Sequence, residues 1–241
     1  MDIVVLASSS RGNCYMVGDG HTQLLIECGL PVRKIREGLS FGLSRVAGVL
    51  VTHEHQDHAK ATRDLLRAGI DVYMSAGTAD AMMAKGHRLH HIKAAQQCTI
   101  GSFEVLPFGV EHDAAEPLGF LLRSQKTGKK LLYATDTYYL RYRFEGLTHI
   151  MIECNYIKNI LDANVDAGIV PKVLRDRLIE SHFGLDGVKE MLAANDLSRV
   201  EGIWLLHMSS VNCDPIRAKR EIQAQTGVPV YIAEEVAVCK Q

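Results

Sequence analysis

Long apolar runs are missing from this chain. Its hydrophobic stretches are about one strand long, which excludes a transmembrane helix, since a bilayer span takes about 20 apolar residues. Paired cysteines are missing too. The six cysteines are Cys14, Cys28, Cys98, Cys154, Cys213 and Cys239, and none forms a CxxC pair. Several sit inside apolar runs, so they read as buried thiols in a reducing compartment. No sign of charge is in excess: 27 Lys and Arg against 28 Asp and Glu leave a net charge of −1. No global field therefore draws the chain to nucleic acid or a membrane, and any polyanion site must come from a local cluster. The opening MDIVVLASSS has neither the basic region nor the apolar core of an export signal, so a cytoplasmic location is expected. Linkers, low-complexity tracts and short-period repeats are absent as well. A length of 241 residues with 47% hydrophobic content fits one large domain, 1–241, with a sizeable core.

What is present reads as alternating strands and helices. Strands are expected near 2–6, 14–18 and 23–28, separated by the turn-rich strings SSSRGN and GDGH. A helix should follow Pro31, which suits a first turn. A buried strand at 48–51 leads directly into Thr52-His53-Glu54-His55-Gln56-Asp57-His58, followed by a helix through 59–68, a strand at 70–74 and a helix near 78–85. The second half shows strands near 103–110, 118–123, 130–135, 149–153, 203–206 and 228–232. Helices are expected near 170–180 and 185–194 and after Asp214-Pro215. Strands cluster early in each half, which fits two sheets packed face to face with helices outside, an αββα arrangement of four layers.

His53, His55, Asp57 and His58 lie within six residues. Neutral imidazole is the commonest zinc ligand, and a carboxylate serves harder ions. Histidines at i and i+2 of an extended segment point the same way, while Asp57 and His58 follow at the turn into a helix. One short segment can thus serve two adjacent metals. The spacing is not HExxH, because position 57 is Asp. A solvated polar turn is the bland alternative, and three histidines packed behind an apolar strand argue against it. Three more candidates stand at or just past strand ends: His112, Asp136 and His207. Taken singly, each reads as a structural histidine or a turn-forming aspartate. Taken together, they complete a plausible ligand set.

In these residues the chain resembles the metallo-β-lactamase superfamily. THEHQDH is similar to its HxHxDH signature, and His112, Asp136 and His207 stand where the family has its later His, Asp and His. The resemblance covers nearly the whole chain and implies the αββα sandwich. It also implies one metal held by His53, His55 and His112, a second held by Asp57, His58 and His207, and Asp136 bridging them. An activated water between the two divalent ions would be the nucleophile. Zinc, manganese and iron all suit such donors.

Within the superfamily, SSSRGNCYMV, LLIECGL and FGVEHDAAEPLGFLL resemble the YycJ/WalJ-like group of 5′-to-3′ exonucleases. IMIECNYI, ESHFGLDGVKEML and WLLHMSS resemble ribonuclease Z blocks. His55 stands where flavodiiron relatives carry Glu. Asp136 stands where secreted zinc β-lactamases commonly carry Cys. The tRNA-gripping arm of ribonuclease Z and a β-CASP insertion both lack counterparts here. The resemblance implies a phosphodiesterase with a nucleic-acid substrate, DNA before RNA, and no membrane partner. It also implies His182 as an acid or phosphate contact, Glu153 as its orienting carboxylate, and Asp57 assisting attack. Two departures stand out. Glu27 replaces the group's usual Asp, and Arg11 enters the first loop; both are expected near the substrate rim, touching no ligand.

Phosphate needs cations. The candidate clusters are Arg33-Lys34-Arg36, Lys126-Lys129-Lys130, Arg141-Arg143 and Lys172-Arg175-Arg177. Each has a solvated face as its bland alternative. Arg141 and Arg143, close behind Asp136, are the expected substrate contacts. GHRLHH, with His87, His90 and His91, is expected to be loop with no carboxylate near it. Two other classes compete: a small-molecule ester, lactone or thioester hydrolase, and a non-catalytic nucleic-acid-binding module. His182 speaks against the first and the intact ligand set against the second. Oligomeric state has no sequence signal.

Overall fold

The computed structural model describes residues 1–233, and Cys239 lies outside them. The described residues form two compact units, Met1–Gly109 with Ala114–Lys129, and Val110–Asp113 with 130–233.

The first unit opens on an antiparallel ribbon of β1 (Asp2–Ser9) and β2 (Gly12–Gly18), with β3 (Gln23–Ile26) antiparallel to β2. Helix α1 (Val32–Gly38) then carries the chain across, so that β4 (Val46–Leu50) pairs parallel to β3. The short helices α2 (Gln56–Ala59), α3 (Thr62–Arg67) and α4 (Ala76–Ala81) connect β5 (Val72–Met74) and β6 (Leu89–His91) in the same parallel manner. Parallel neighbours need such crossovers, whereas antiparallel ones need only a turn. The six strands form one sheet in sequence order. Its core joins Leu25, Val49, Val51, Val72 and Met74 to Ile35 and Leu65 of the helices. An antiparallel meander follows: β7 (Cys98–Ile100), β8 (Phe103–Gly109) and β9 (Leu118–Ser124). Buried Asp19, in the turn before β3, accepts from Ser102 Oγ and Ser124 Oγ, each at 2.6 Å, and ties this meander to the first sheet.

The second unit is a parallel sheet of β10 (Lys130–Ala134), β11 (His149–Glu153), β12 (Gly202–Leu206) and β13 (Val230–Ile232). Its helices are α5 (Lys158–Asp166), α6 (Lys172–Ser181), α7 (Leu185–Ala193) and α8 (Pro215–Thr226). Every residue of β11 is buried, as expected of an apolar run in the middle of a parallel sheet. The α8 helix has both start and stop signals. Asp214 caps it by accepting from Arg217 N, Pro215 opens it, and Gly227 closes it at φ 69°. No helix of the described residues is long and apolar enough to cross a membrane.

Some expectations change. The helix expected over 59–68 is two pieces, α2 and α3. Helix α5 and strands β6 and β7 were not anticipated. The GHRLHH string is not all loop, because His90 and His91 lie on β6. A carboxylate is also close to it: pairing of β5 with β6 brings Asp71 to 2.9 Å from His90 Nε2 and 3.2 Å from Arg88. Cys14, Cys28, Cys154 and Cys213 are buried free thiols, as read from the sequence. Burial pushes Cys28 up to about 12, so it is no nucleophile.

Candidate metal centre

Each unit presents part of the candidate ligand set. In the first, β4 ends and Val51 and Thr52 extend it to His53. His55 caps α2 in an extended conformation, placing Asp57 in the first turn and His58 buried against the sheet. The rings gather closely: His53 and His55 meet edge to face at 4.6 Å between centroids, and His53 and His58 lie 4.3 Å apart. The loop is held from below by the segment after β3. Cys28 N donates to His58 O at 2.7 Å, Ala61 N donates to Cys28 O, and Asn13 Nδ2 donates to Asp57 O. Gly29 sits so close that a side chain there would begin 1.7 Å from the Asp57 carbonyl oxygen.

Glu27 overturns an expectation. It is fully buried beneath the loop rather than at a rim. Its Oε1 accepts from Thr52 Oγ1 at 2.6 Å and lies 3.3 Å from His58 Nδ1. The Thr52 hydroxyl has one proton and gives it to Glu27, so it must accept from His53 Nδ1 at 2.8 Å. That assignment makes Nε2 of His53 the lone-pair nitrogen. Arg11 lies exposed in the first hairpin turn.

The second unit builds its part at the carboxyl ends of β10, β11 and β12. Parallel pairing in register, Ala134 beside Ile152 and Glu153 beside Leu206, delivers Asp136, Glu153 and His207 to one end. Asp136, Glu153, His182 and His207 form one compact group of potential ligand atoms, all within 4.8 Å of one another. His207 Nδ1 lies 2.9 Å from Glu153 Oε1 and 3.0 Å from Asp136 Oδ1. His182 Nδ1 lies 2.7 Å from the same Glu153 oxygen and 3.3 Å from Asp136. Glu153 also accepts from Thr137 N and Phe183 N. Burial opposes charge on Glu153, but His182 leads the contacts that hold its pKa below the ordinary value. Burial likewise opposes charge on His182, but Glu153 and Asp136 overcome it and raise its pKa to about 10. His112 completes this part, its Nδ1 donating to Ser181 O at 3.2 Å and its Nε2 lying 3.9 Å from Asp136.

These donors fit divalent metal ions. His53, His112 and His207 each spend Nδ1 on an oxygen acceptor, which leaves Nε2 as the coordinating nitrogen. This is the arrangement that metal-binding histidines share. The backbone supports the same reading. Glu27, Asp136 and His207 hold φ of 67°, 47° and 48°, a left-handed region that non-glycine residues rarely adopt and that clusters at functional sites.

Residues 22–208 match the model of the β-lactamase superfamily domain. The chain belongs to the metallo-β-lactamase superfamily. Its fold is that of the superfamily's solved structures, among them YhfI from Bacillus subtilis, with a TM-score of 0.72 at 13% identity over 95% of each chain. Human tRNase Z, short form, matches with a TM-score of 0.64 at 15% identity over 96% of each chain. Among curated proteins, the chain is 37% identical to exodeoxyribonuclease YycJ of Bacillus anthracis, over 86% of this chain and 82% of that one. It is 28% identical to exodeoxyribonuclease WalJ of Streptococcus pneumoniae, over 86% and 81%. The chain is a metallo-β-lactamase-fold hydrolase, with His/Asp clusters suited to divalent metal.

The expected phosphate contacts divide. Arg141 is paired with Glu111. Arg143 is exposed beside Tyr138, Tyr139 and Tyr142 in a groove of about 300 Å³ that also includes Phe183. In the remaining basic clusters, Arg33 pairs with Glu37 at 3.1 Å, Lys130 Nζ donates to Glu145 O at 2.8 Å, and Arg175 pairs with Asp162 at 3.0 Å.

Proposed function

We propose that this protein is a dinuclear metal-dependent phosphodiesterase that cleaves nucleic acid, DNA before RNA, as one domain, 1–241. His53, His55 and His112 would hold one ion, Asp57, His58 and His207 the other, with Asp136 shared. Two such ions would supply a water of lowered pKa and stabilise charge developing on the phosphoryl oxygens. The observation that carries the reading is the buried Glu153–His182 pair beside Asp136. A phosphodiester's departing alkoxide leaves poorly unless it is protonated or metal-bound, and a protonated imidazole can supply that proton. Glu153 fixes the His182 ring by Nδ1 and favours its protonated form, leaving Nε2 to reach a phosphate or leaving oxygen. At 17% side-chain exposure His182 is open enough to be reached by a substrate, whereas Glu153, at 0%, acts through the histidines it holds, His182 and His207. The exodeoxyribonuclease names of the two curated relatives support DNA as the substrate.

The test is an assay of metal-loaded protein on bis-p-nitrophenyl phosphate, single- and double-stranded DNA, RNA, and a panel of lactones and thioesters. Elemental analysis should approach two ions of zinc, manganese or iron per chain, and Asp136→Ala should lower that number and abolish hydrolysis. His182→Ala should retain the metal yet lower kcat on DNA by about 10²–10⁴-fold. It should affect the p-nitrophenyl ester less, since that leaving group needs little protonation. Efficient lactone or thioester cleavage without phosphodiesterase activity would make the small-molecule hydrolase the correct reading.

A further inference from the structure

The first unit carries a concentration of positive charge that the catalytic reading does not use. A cleft of about 290 Å³ is lined by Arg63, Arg67, Lys85, His87 and Arg88, and no carboxylate lines it among the described residues. Arg63 and Arg67 come from α3; the other three precede or begin the approach to β6. Arg63 Nη2 donates to Met82 O at 3.0 Å and so holds this approach against the helix. A second cleft of about 370 Å³ shares Arg63 and runs past Lys60 to Gln56 and Glu54. Those last two residues belong to the THEHQDH segment itself. Lys60 and Arg63 therefore link the basic cleft, within one unit, to the proposed metal-binding loop, where the Glu54 carboxylate is engaged by Ala115 N at 2.8 Å.

Surface cations commonly serve only solubility, and part of this charge is offset. Arg67 lies 3.7 Å from Asp64, and Arg88 lies 3.2 Å from Asp71. Arg63 and Lys85 have no carboxylate partner among the described residues. The spacing on α3 is also telling: Arg63 and Arg67 are four residues apart on one helix face, where like charges destabilise a helix by a few tenths of a kcal/mol. Lys85 and Arg88 line the same cleft, and Asp64 and Asp71 offset only part of the repulsion. A bound polyanion would remove it.

We propose that this cleft is an exosite for the phosphodiester backbone of a nucleic-acid strand whose end is processed at the metal-binding loop. The inference rests on the phosphodiesterase reading for the identity of the strand. The exosite supplies affinity without base specificity, which suits an enzyme acting on an end of any sequence. Strands too short to extend beyond the loop gain nothing from it.

The experiment compares metal-loaded wild type with an R63Q/R67Q/K85Q/R88Q variant, and with the milder R67Q/K85Q should the first fail to fold. Binding of fluorescent phosphorothioate oligonucleotides, DNA and RNA, of 4 and 20 nucleotides is followed by anisotropy across a salt series. Each phosphate neutralised contributes about 0.7 to the log–log salt slope of a single strand. The fourfold variant should therefore lose roughly 2–3 from that slope on the 20-mer. Its kcat/KM on the 20-mer should fall about 10–100-fold, while the 4-mer and bis-p-nitrophenyl phosphate are turned over as before. A folded variant with unchanged slope and unchanged 20-mer kcat/KM overturns the exosite, even if wild type proves to be a nuclease. Loss of the slope in a protein that cleaves no phosphodiester supports the exosite and sinks the catalytic reading instead. Selective loss of binding to an acidic peptide, with oligonucleotide binding intact, assigns the cleft to a protein partner and overturns the proposal.

Discussion

Replacing Gly29 with alanine should disable the proposed metal-binding loop without touching a proposed ligand. A Cβ at this position would lie 1.7 Å from Asp57 O and 2.8 Å from Asn13 N. A carbon and a carbonyl oxygen ordinarily approach to about 3.3–3.6 Å, so the loop must retreat by roughly 1.6 Å. Both obstructing groups are backbone, and neither can swing aside as a flexible side chain would. The hydrogen bonds from Cys28 N to His58 O and from Ala61 N to Cys28 O must stretch with the movement. Overpacking of this kind costs about 1–3 kcal/mol, or roughly 2–12 °C in Tm for a chain of this size. The catalytic cost should be larger than the thermal one, since misplacement by about 1 Å costs on the order of 10²-fold in rate. Asp57 and His58 move first, so one ion should be lost before the other. Gly109→Ala is the control, because nothing lies within 4 Å of its added Cβ. Thermal melting, elemental analysis and bis-p-nitrophenyl phosphate turnover decide the matter. A Gly29→Ala protein with native Tm, two ions and full activity would refute the claim that this backbone approach positions the loop.

Two further outcomes follow from the hydrogen-bond networks. Asp19→Ala removes the acceptor for Ser102, Ser124, Thr22 N and His21 N, and should cost about 3 kcal/mol by leaving buried donors unmet. Burial alone would raise the Asp19 pKa, but these four bonds hold it well below the carboxylate range. The carboxylate's contribution is therefore present above about pH 4 and lost as pH falls toward the folded-state pKa. The Tm gap between wild type and variant should narrow on titration from pH 7 to 3; a gap that stays constant means Asp19 does not carry it. Thr52→Val keeps the side-chain shape but cuts the link from Glu27 to His53, and should weaken metal affinity about 10–100-fold. Chelator competition measures it, and an unchanged affinity would remove Glu27 and Thr52 from the supporting network.

The legible parts were those in which apolar runs and polar ends coincide. The THEHQDH segment stands out because a buried strand precedes it, and Asp136 and His207 stand out because β10 and β12 are apolar until they end; Glu153 shows only through the resemblance to the ribonuclease Z block. Strands β6 and β7, of three residues each, are too short to show a period. Helix α5 opens on Ile157 without a side-chain cap, so no start signal marks it. The Asp71–His90 contact joins residues 19 apart and exists only because β5 and β6 pair. Glu27 left one trace, a lone charge inside LLIECGL, but its partner Thr52 lies 25 residues on. That distance is why it passed for a rim residue. The left-handed backbone at Glu27, Asp136 and His207 was invisible, since sequence marks such positions by Gly or Asn and none is there.

Those three positions bear on how the protein can change. Each holds a side chain at a backbone angle that costs about 1–3 kcal/mol, against a total stability of about 5–15 kcal/mol for an ordinary domain. Glycine at any of them would relieve that cost while deleting a carboxylate or imidazole of the proposed site or its support. Selection for heat resistance alone would therefore favour inactive descendants of this chain. Any laboratory lineage meant to keep its activity must be screened for turnover in every round, and compensating stability has to be sought elsewhere, in the surface loops and helix ends.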